Sequence, residues 1–213
     1  MGGVETLLPV VLLLVLGGFG ALVVRSVKRR KAFLATVTTD SAELPDLRTE
    51  LRLTGTLRRL WRDPLEGLPL AELGVGSRRF VLCTTDQTLH GERYKAAIGK
   101  TIEVALYGLA TLAPGGAEAM QEQLRDADKV PPDTVTLVHE GQLENDYVVI
   151  GRLLSQRSDT WGELPLVVYR AQVLRTSDLT LVLELAVPSP QDAAPLPENS
   201  LAHGSVRLFG YLP

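Results

Sequence analysis

Hydrophobic and polar positions divide the chain into two regimes. From Leu7 to Val24, eighteen successive residues carry no charge, and Arg25-Ser26-Val27-Lys28-Arg29-Arg30-Lys31 follows at once. At about 1.5 Å of rise per residue such a run reaches roughly 27 Å as a helix, close to the ~30 Å hydrocarbon core of a bilayer. A cleaved secretory leader places its positive charges before the apolar stretch. Here the order is reversed, with Glu5 the sole charged side chain ahead of it. The pattern predicts a retained single-pass transmembrane helix with a basic stop.

Beyond residue 31 the period shortens to two. Ala32 to Thr39 reads as a strand, and Asp40 to Asp46 as a loop. Leu51, Leu53, Gly55 and Leu57 alternate with Arg52, Thr54, Thr56 and Arg58, the signature of a half-buried strand that Asp63-Pro64 and Gly67 break. Further strands are expected over Arg79–Thr84, Thr101–Leu109, Thr134–Val138, Tyr147–Leu154, Leu166–Leu174 and Leu179–Val187. A last one carries Val206, Leu208 and Gly210 after a Pro-rich loop, and Gly108 suggests a bulge or tight bend. Ala117 to Lys129, with Met120, Leu124 and Ala127 at helical spacing, is the one amphipathic helix expected outside the membrane. The layout is an anchor over 1–31, a first β-rich stretch over 32–113, a linking helix over 114–132 and a second β-rich stretch over 133–213.

An internal echo runs through this pattern. Leu51-Arg52-Leu53-Thr54-Gly55-Thr56-Leu57 and Tyr147-Val148-Val149-Ile150-Gly151-Arg152-Leu153 each place a glycine mid-strand, ahead of Trp61 or Trp161. The order of strand with mid-glycine, loop, strand, then Gly99-Lys100-Thr101-Ile102 resembles an OB-type barrel as an architecture. The expected class is mainly β: a transmembrane helix followed by a small β-barrel or sandwich, OB-like, single or duplicated.

Charge adds orientation. The chain has 22 basic and 25 acidic residues, of which five and one lie in the first 31, so the remainder carries a net of −7. Nucleic-acid binders show a basic domain or stripe, so nucleic acid is not an expected partner. Lys and Arg beside a span stay in the cytoplasm. The N-terminus is therefore expected outside the cell membrane and the β-rich part in the cytoplasm. Arg25, Lys28, Arg29, Arg30 and Lys31 are also candidate contacts for anionic headgroups. Gly17 and Ala21, at i and i+4, offer a small-residue face for a homodimer through the span.

Candidate chemistry is sparse. Cys83 and His90 suggest a thiolate–imidazole pair, against which stands the position of Cys83 on a strand with no framing motif. His90, His139 and His203 lie apart with no metal-ligand spacing, so no metal or cofactor is expected. His90-Gly91-Glu92-Arg93-Tyr94 is similar to the His-x-x-x-Tyr motif of membrane-anchored OB-fold haem chaperones, although in that family the motif follows the barrel and here a strong strand follows the motif. Gly74-Val75-Gly76 reads as a turn and not a dinucleotide fingerprint. Glu140, Glu144 and Asp146 form an acidic loop without EF-hand spacing. Arg58, Arg59, Trp61 and Arg62 form a basic-aromatic cluster suited to a surface rim, a base or headgroups. The expected function is a membrane-anchored binding or scaffolding module with an unidentified protein partner. The competing class is a membrane-surface enzyme with a site near Cys83 and His90.

Overall fold

The computed structural model describes residues 49–120, 134–139, 144–188 and 194–213. The expected span, its basic stop, the strand over Ala32–Thr39 and most of the amphipathic helix lie outside these residues. No helix among the described residues is long and apolar enough to cross a membrane.

The described chain is mainly β. In order it forms β1 (Arg52–Arg62), β2 (Pro69–Val75), β3 (Arg78–Thr84), helix α1 (Gln87–Ala97), β4 (Thr101–Pro114), the short helix α2 (Ala117–Met120), β5 (Thr136–His139), β6 (Asp146–Trp161), β7 (Leu164–Arg175), β8 (Thr180–Pro188) and β9 (Leu201–Tyr211). Alternation places Leu53 and Leu57 of β1 in the core, as expected. Strand β1 runs on through Trp61 to Arg62, next to the Asp63-Pro64 break. Strand β2 was not foreseen: Gly74 and Val75 end it, and the turn begins only at Gly76.

All nine strands join one mixed sheet whose pairings close into two rings. The first runs β1–β2–β3–β9–β4 and back to β1; the second runs β6–β7–β8–β4–β9 and back to β6. Both therefore contain β4 and β9, which pair antiparallel from Ala105–Tyr211 to Pro114–Ala202. On its other edge β4 meets β1 through residues 101–105 and then, in parallel, β8 through 107–109. Strand β9 does the mirror operation, meeting β6 through 201–207 and then β3, in parallel, through 209–210. Short β5 extends the sheet beside β6.

Registers in the two rings correspond. Gly55 of β1 faces Ile102, and Gly151 of β6 faces Ala202. One residue later, at Thr56 and Arg152, each strand passes to its next partner, and an irregularity follows after Leu57 in β1 and after Leu153 in β6. One hydrophobic cluster spans both rings, from Leu53, Phe80 and Leu82 to Tyr169, Leu183 and Leu208.

Gly108, facing Leu208, sits midway along the shared pair, and its register with β9 is continuous. The expected bulge is absent there. The glycine is needed because an added Cβ would collide with Val206 and Leu185. Gly204 is tighter still, since a Cβ there would run into the Thr111 backbone of β4. Gly151, whose Cβ would lie 3.4 Å from the Gln172 carbonyl oxygen, has more room.

Overpacked sites typically lose 1–3 kcal/mol or more. Gly204→Ala is accordingly expected to destabilise the protein by more than about 2 kcal/mol and Gly151→Ala by less than about 1 kcal/mol. Urea unfolding followed by tryptophan fluorescence checks the order of the two.

Candidate functional site

Cys83 and His90 part company in the fold. Cys83 is fully buried on β3, opposite Leu70 and beside Phe209. Burial pushes its thiol up to about 12, the Arg207 charge pulls it down and Glu66 adds a smaller rise. His90 lies on the exposed face of α1, at a kink with φ −122° and ψ 26°. A protonated interior thiol and a solvated imidazole form no nucleophilic pair.

Tyr94 rules out a haem-chaperone arrangement of the His90–Tyr94 stretch. Its ring is buried under α1 and its hydroxyl donates to Asp86. Desolvation first, and then that bond to Asp86, hold the phenol far above its ordinary range. The other Asp86 oxygen accepts from the Leu212 N–H at 3.2 Å, and the Thr85 N–H donates to the Gly210 carbonyl at 2.9 Å. Tyr94 thus fastens α1 to the C-terminal tail, while His90 faces away into solvent.

The remaining histidines are equally separate. His139 sits at the end of β5, edge-on to Tyr147 with ring centroids 5.5 Å apart. His203 lies within β9, its Nδ1 3.2 Å from the Gly115 carbonyl oxygen. Among the described residues no three His, Cys, Asp or Glu side chains gather where they could hold a metal.

The basic-aromatic cluster on β1 is split by its neighbours. Arg59 stacks on Trp61 with its guanidinium 4.1 Å from the ring centroid. It also pairs with Glu72 at 2.8 Å and Glu144 at 3.5 Å, and the Trp61 indole donates to Glu144 at 3.2 Å. Arg62 donates to the Gly67 carbonyl. Arg58, at the irregularity in β1, leaves this group and lies across β2. A Cβ on Gly74 would stand 2.5 Å from its Nε.

One cluster was invisible in the sequence. Arg207 reads as an outward polar residue of β9 between Val206 and Leu208, yet it is 6% exposed. Asp146 grips it through both oxygens, Nε–Oδ1 at 2.8 Å and Nη2–Oδ2 at 3.4 Å, and Glu66 reaches Nη1 at 3.0 Å. Asp63 shapes the loop that delivers Glu66, its Oδ1 accepting from the N–H groups of Leu65 and Glu66 at 2.8 Å each. Asn145 locks the adjacent strap, accepting from the Leu208 N–H at 3.0 Å and donating to the Leu208 carbonyl at 3.2 Å. Next to it the Tyr147 hydroxyl accepts from the Val81 N–H at 2.7 Å. Of the acidic loop, Glu144 and Asp146 are thus spent on cations of this same fold, and Glu140 lies outside the described residues.

A polar cleft of about 340 Å³ opens beside β6 and β7, lined by Thr134, Val135, Arg152, Gln172 and Arg175. Arg152 also donates to the Asn199 carbonyl at 3.4 Å. Guanidinium, amide and hydroxyl groups can bind a polar ligand there, but none of them is a base near neutral pH. No protein-family model matches the chain, and no curated protein matches it.

At pH 8 a thiol titrating near 12 is ionised in only about one molecule in ten thousand. Cys83 is therefore expected to resist alkylation in the native protein and to react fully in denaturant, as mass spectrometry would show. Asp146→Ala leaves the Arg207 charge half-paired in the interior, and calorimetry is expected to register a loss of about 3–5 kcal/mol.

Proposed function

We propose that the protein is a single-pass, membrane-anchored binding or scaffolding module built on a duplicated OB-like barrel. The correspondence of the two rings carries this reading. Placing Gly55 on Gly151 puts Ile102 on Ala202. The pair Thr56–Gly74 then falls on Arg152–Gln172, and Gly74–Arg79 on Gln172–Val182. The parallel pair Cys83–Phe209 falls on Ala186–Leu109, with Gly108–Leu208 at the centre of the exchange. The pairings correspond around the two rings, apart from one extra residue in β7, between Gln172 and Leu174, that β2 lacks. In each ring the strand order is first, second, third, fifth, fourth, the Greek-key closure of an OB-type barrel. Helix α1 stands between the third and fourth strands of the first ring. The fifth strand of each ring belongs to the other repeat.

Barrels of this kind commonly serve as binding scaffolds, using a face and the loops at its rim. The anchor supplies the place of action, with the N-terminus outside the cell membrane and the β-rich part in the cytoplasm. Gly17 and Ala21 remain proposed contacts for a dimer through the span, and Arg25, Lys28, Arg29, Arg30 and Lys31 for headgroups. The alternative of a membrane-surface enzyme near Cys83 and His90 has the burial of Cys83 against it.

Two measurements test the reading. Ser177, exposed in the β7–β8 turn, becomes a labelling site as Ser177→Cys, since native Cys83 is buried. An impermeant maleimide is expected to miss it in intact cells and label it after permeabilisation; labelling of intact cells reverses the topology. Recovery of partners in mild detergent by the full chain, compared with a chain starting at Ala32, assigns recognition to the β-rich part if the shortened chain keeps them. Failure of both chains to retain any protein above background counts against a scaffolding role.

A further inference from the structure

We propose that the outer face of β1–β2–β3, around Arg58 and Arg79, is a docking surface for the anionic headgroups of the bilayer in which the chain is anchored. The proposal rests on the anchored reading above and extends it to the β-rich part. Two local irregularities aim Arg58 at this face. The break in β1 after Leu57 frees it from the Arg59–Trp61 group, and the absent side chain of Gly74 lets it lie across β2. Gly74 is the register partner of Arg79 on β3. Directly opposed residues stand about 5 Å apart, so the Arg58 guanidinium occupies the space beside the base of Arg79. Two like charges are brought together on an exposed surface.

The surroundings keep that charge. Arg78 follows at the β2–β3 turn, and Lys100 adjoins through the bond from the Leu57 N–H to the Lys100 carbonyl at 3.0 Å. Among the described residues no carboxylate forms an ion pair with Arg58, Arg78, Arg79 or Lys100, whereas Arg59, Arg157 and Arg207 are each paired. The acids near the face are Glu72, on the outer side of β2 and paired with Arg59, Asp178, set against the turn at Gly76 and interacting with Arg78, and Glu103, opposite Thr54. Ile98, next to Lys100 in sequence, is 46% exposed and adds an apolar contact at the edge.

A flat, exposed arginine face suits a sheet of headgroups better than an enclosed small anion. Basic residues near an anionic leaflet contribute about 1 kcal/mol each, so Arg58 and Arg79 together supply a weak, reversible attraction. The seventeen residues between Lys31 and Thr49 span at most about 60 Å, which confines the face to the neighbourhood of the bilayer. The acidic balance of the remaining chain would otherwise hold this part away from a negative leaflet.

The test uses the full chain, reconstituted into vesicles, with a fluorophore on Ser77→Cys beside the face and a headgroup-linked quencher. Quenching is expected to rise at least about twofold when phosphatidylserine replaces about a quarter of the phosphatidylcholine, and to return to the neutral value in the Arg58→Gln/Arg79→Gln double variant. Circular dichroism of that variant confirms that it is folded, and Arg93→Gln on α1, outside the face, is expected to behave as wild type. Equal quenching in both compositions overturns the proposal, and so does a response that survives the double variant. A single-stranded RNA that binds through the same two arginines while lipid has no effect also overturns it. Flotation with neutral vesicles reads the anchor separately. A chain that fails to float with them but floats with the anionic ones, in a manner dependent on Arg58 and Arg79, retains the docking face and loses the span.

Discussion

The antiparallel pair of β4 and β9 is the constraint on which the rest of the described fold depends. Each strand offers two edges; one goes to the other member of the pair, and the second is divided between the two rings. Neither ring closes without both β4 and β9. A single core follows, because Leu106 and Leu208 from the shared strands belong to the same hydrophobic cluster as both flanking sets. Close approach at the crossing requires small residues, and Gly108, Gly204 and Gly210 are positions where an added methyl group meets other atoms at once. Strand exchange of this sort makes the two halves interdependent.

Polar interactions seal the joints. The strap at Glu144–Tyr147 fastens to β1 and β3 through Arg59 and Val81, and to the shared strand β9 through Arg207 and Leu208. A buried guanidinium is costly alone and tolerable when three carboxylate oxygens surround it. Its use here is to fix which surfaces lie against each other, since any other register leaves Arg207 without Asp146 and Glu66. The same pairing consumes acids that in sequence resembled a cation-binding loop.

Little of the site was legible beforehand, and the reasons are physical. Cys83 and His90 are seven residues apart, a spacing that says nothing of a strand–turn–helix reversal that sends one side chain inward and the other to solvent. Arg58, Arg59, Trp61 and Arg62 looked like one patch; a register shift after Leu57 divides them into a neutralised group and a free arginine. Arg79 joins that arginine only because β3 pairs with β2 at Gly74, a long-range relation that no local pattern encodes. Helix α1 was missed altogether. Its few apolar residues form no continuous stripe, and it is held by Tyr94 and Ala97 beneath and by the bonds from Asp86.

What the sequence determined by itself was whatever depends on near neighbours. Alternation announced most strands, because burying one face of a pleated chain needs a period of two, and the echo around Gly55 and Gly151 falls on two strands with matching registers. Tertiary structure alone decided that β4 and β9 serve both rings, that Arg207 is interior and that Arg58 lies across Gly74, the register partner of Arg79. Each of those outcomes joins residues far apart in the chain. It follows from which edges must be paired and which voids filled, and those are properties of the closed sheet as a whole.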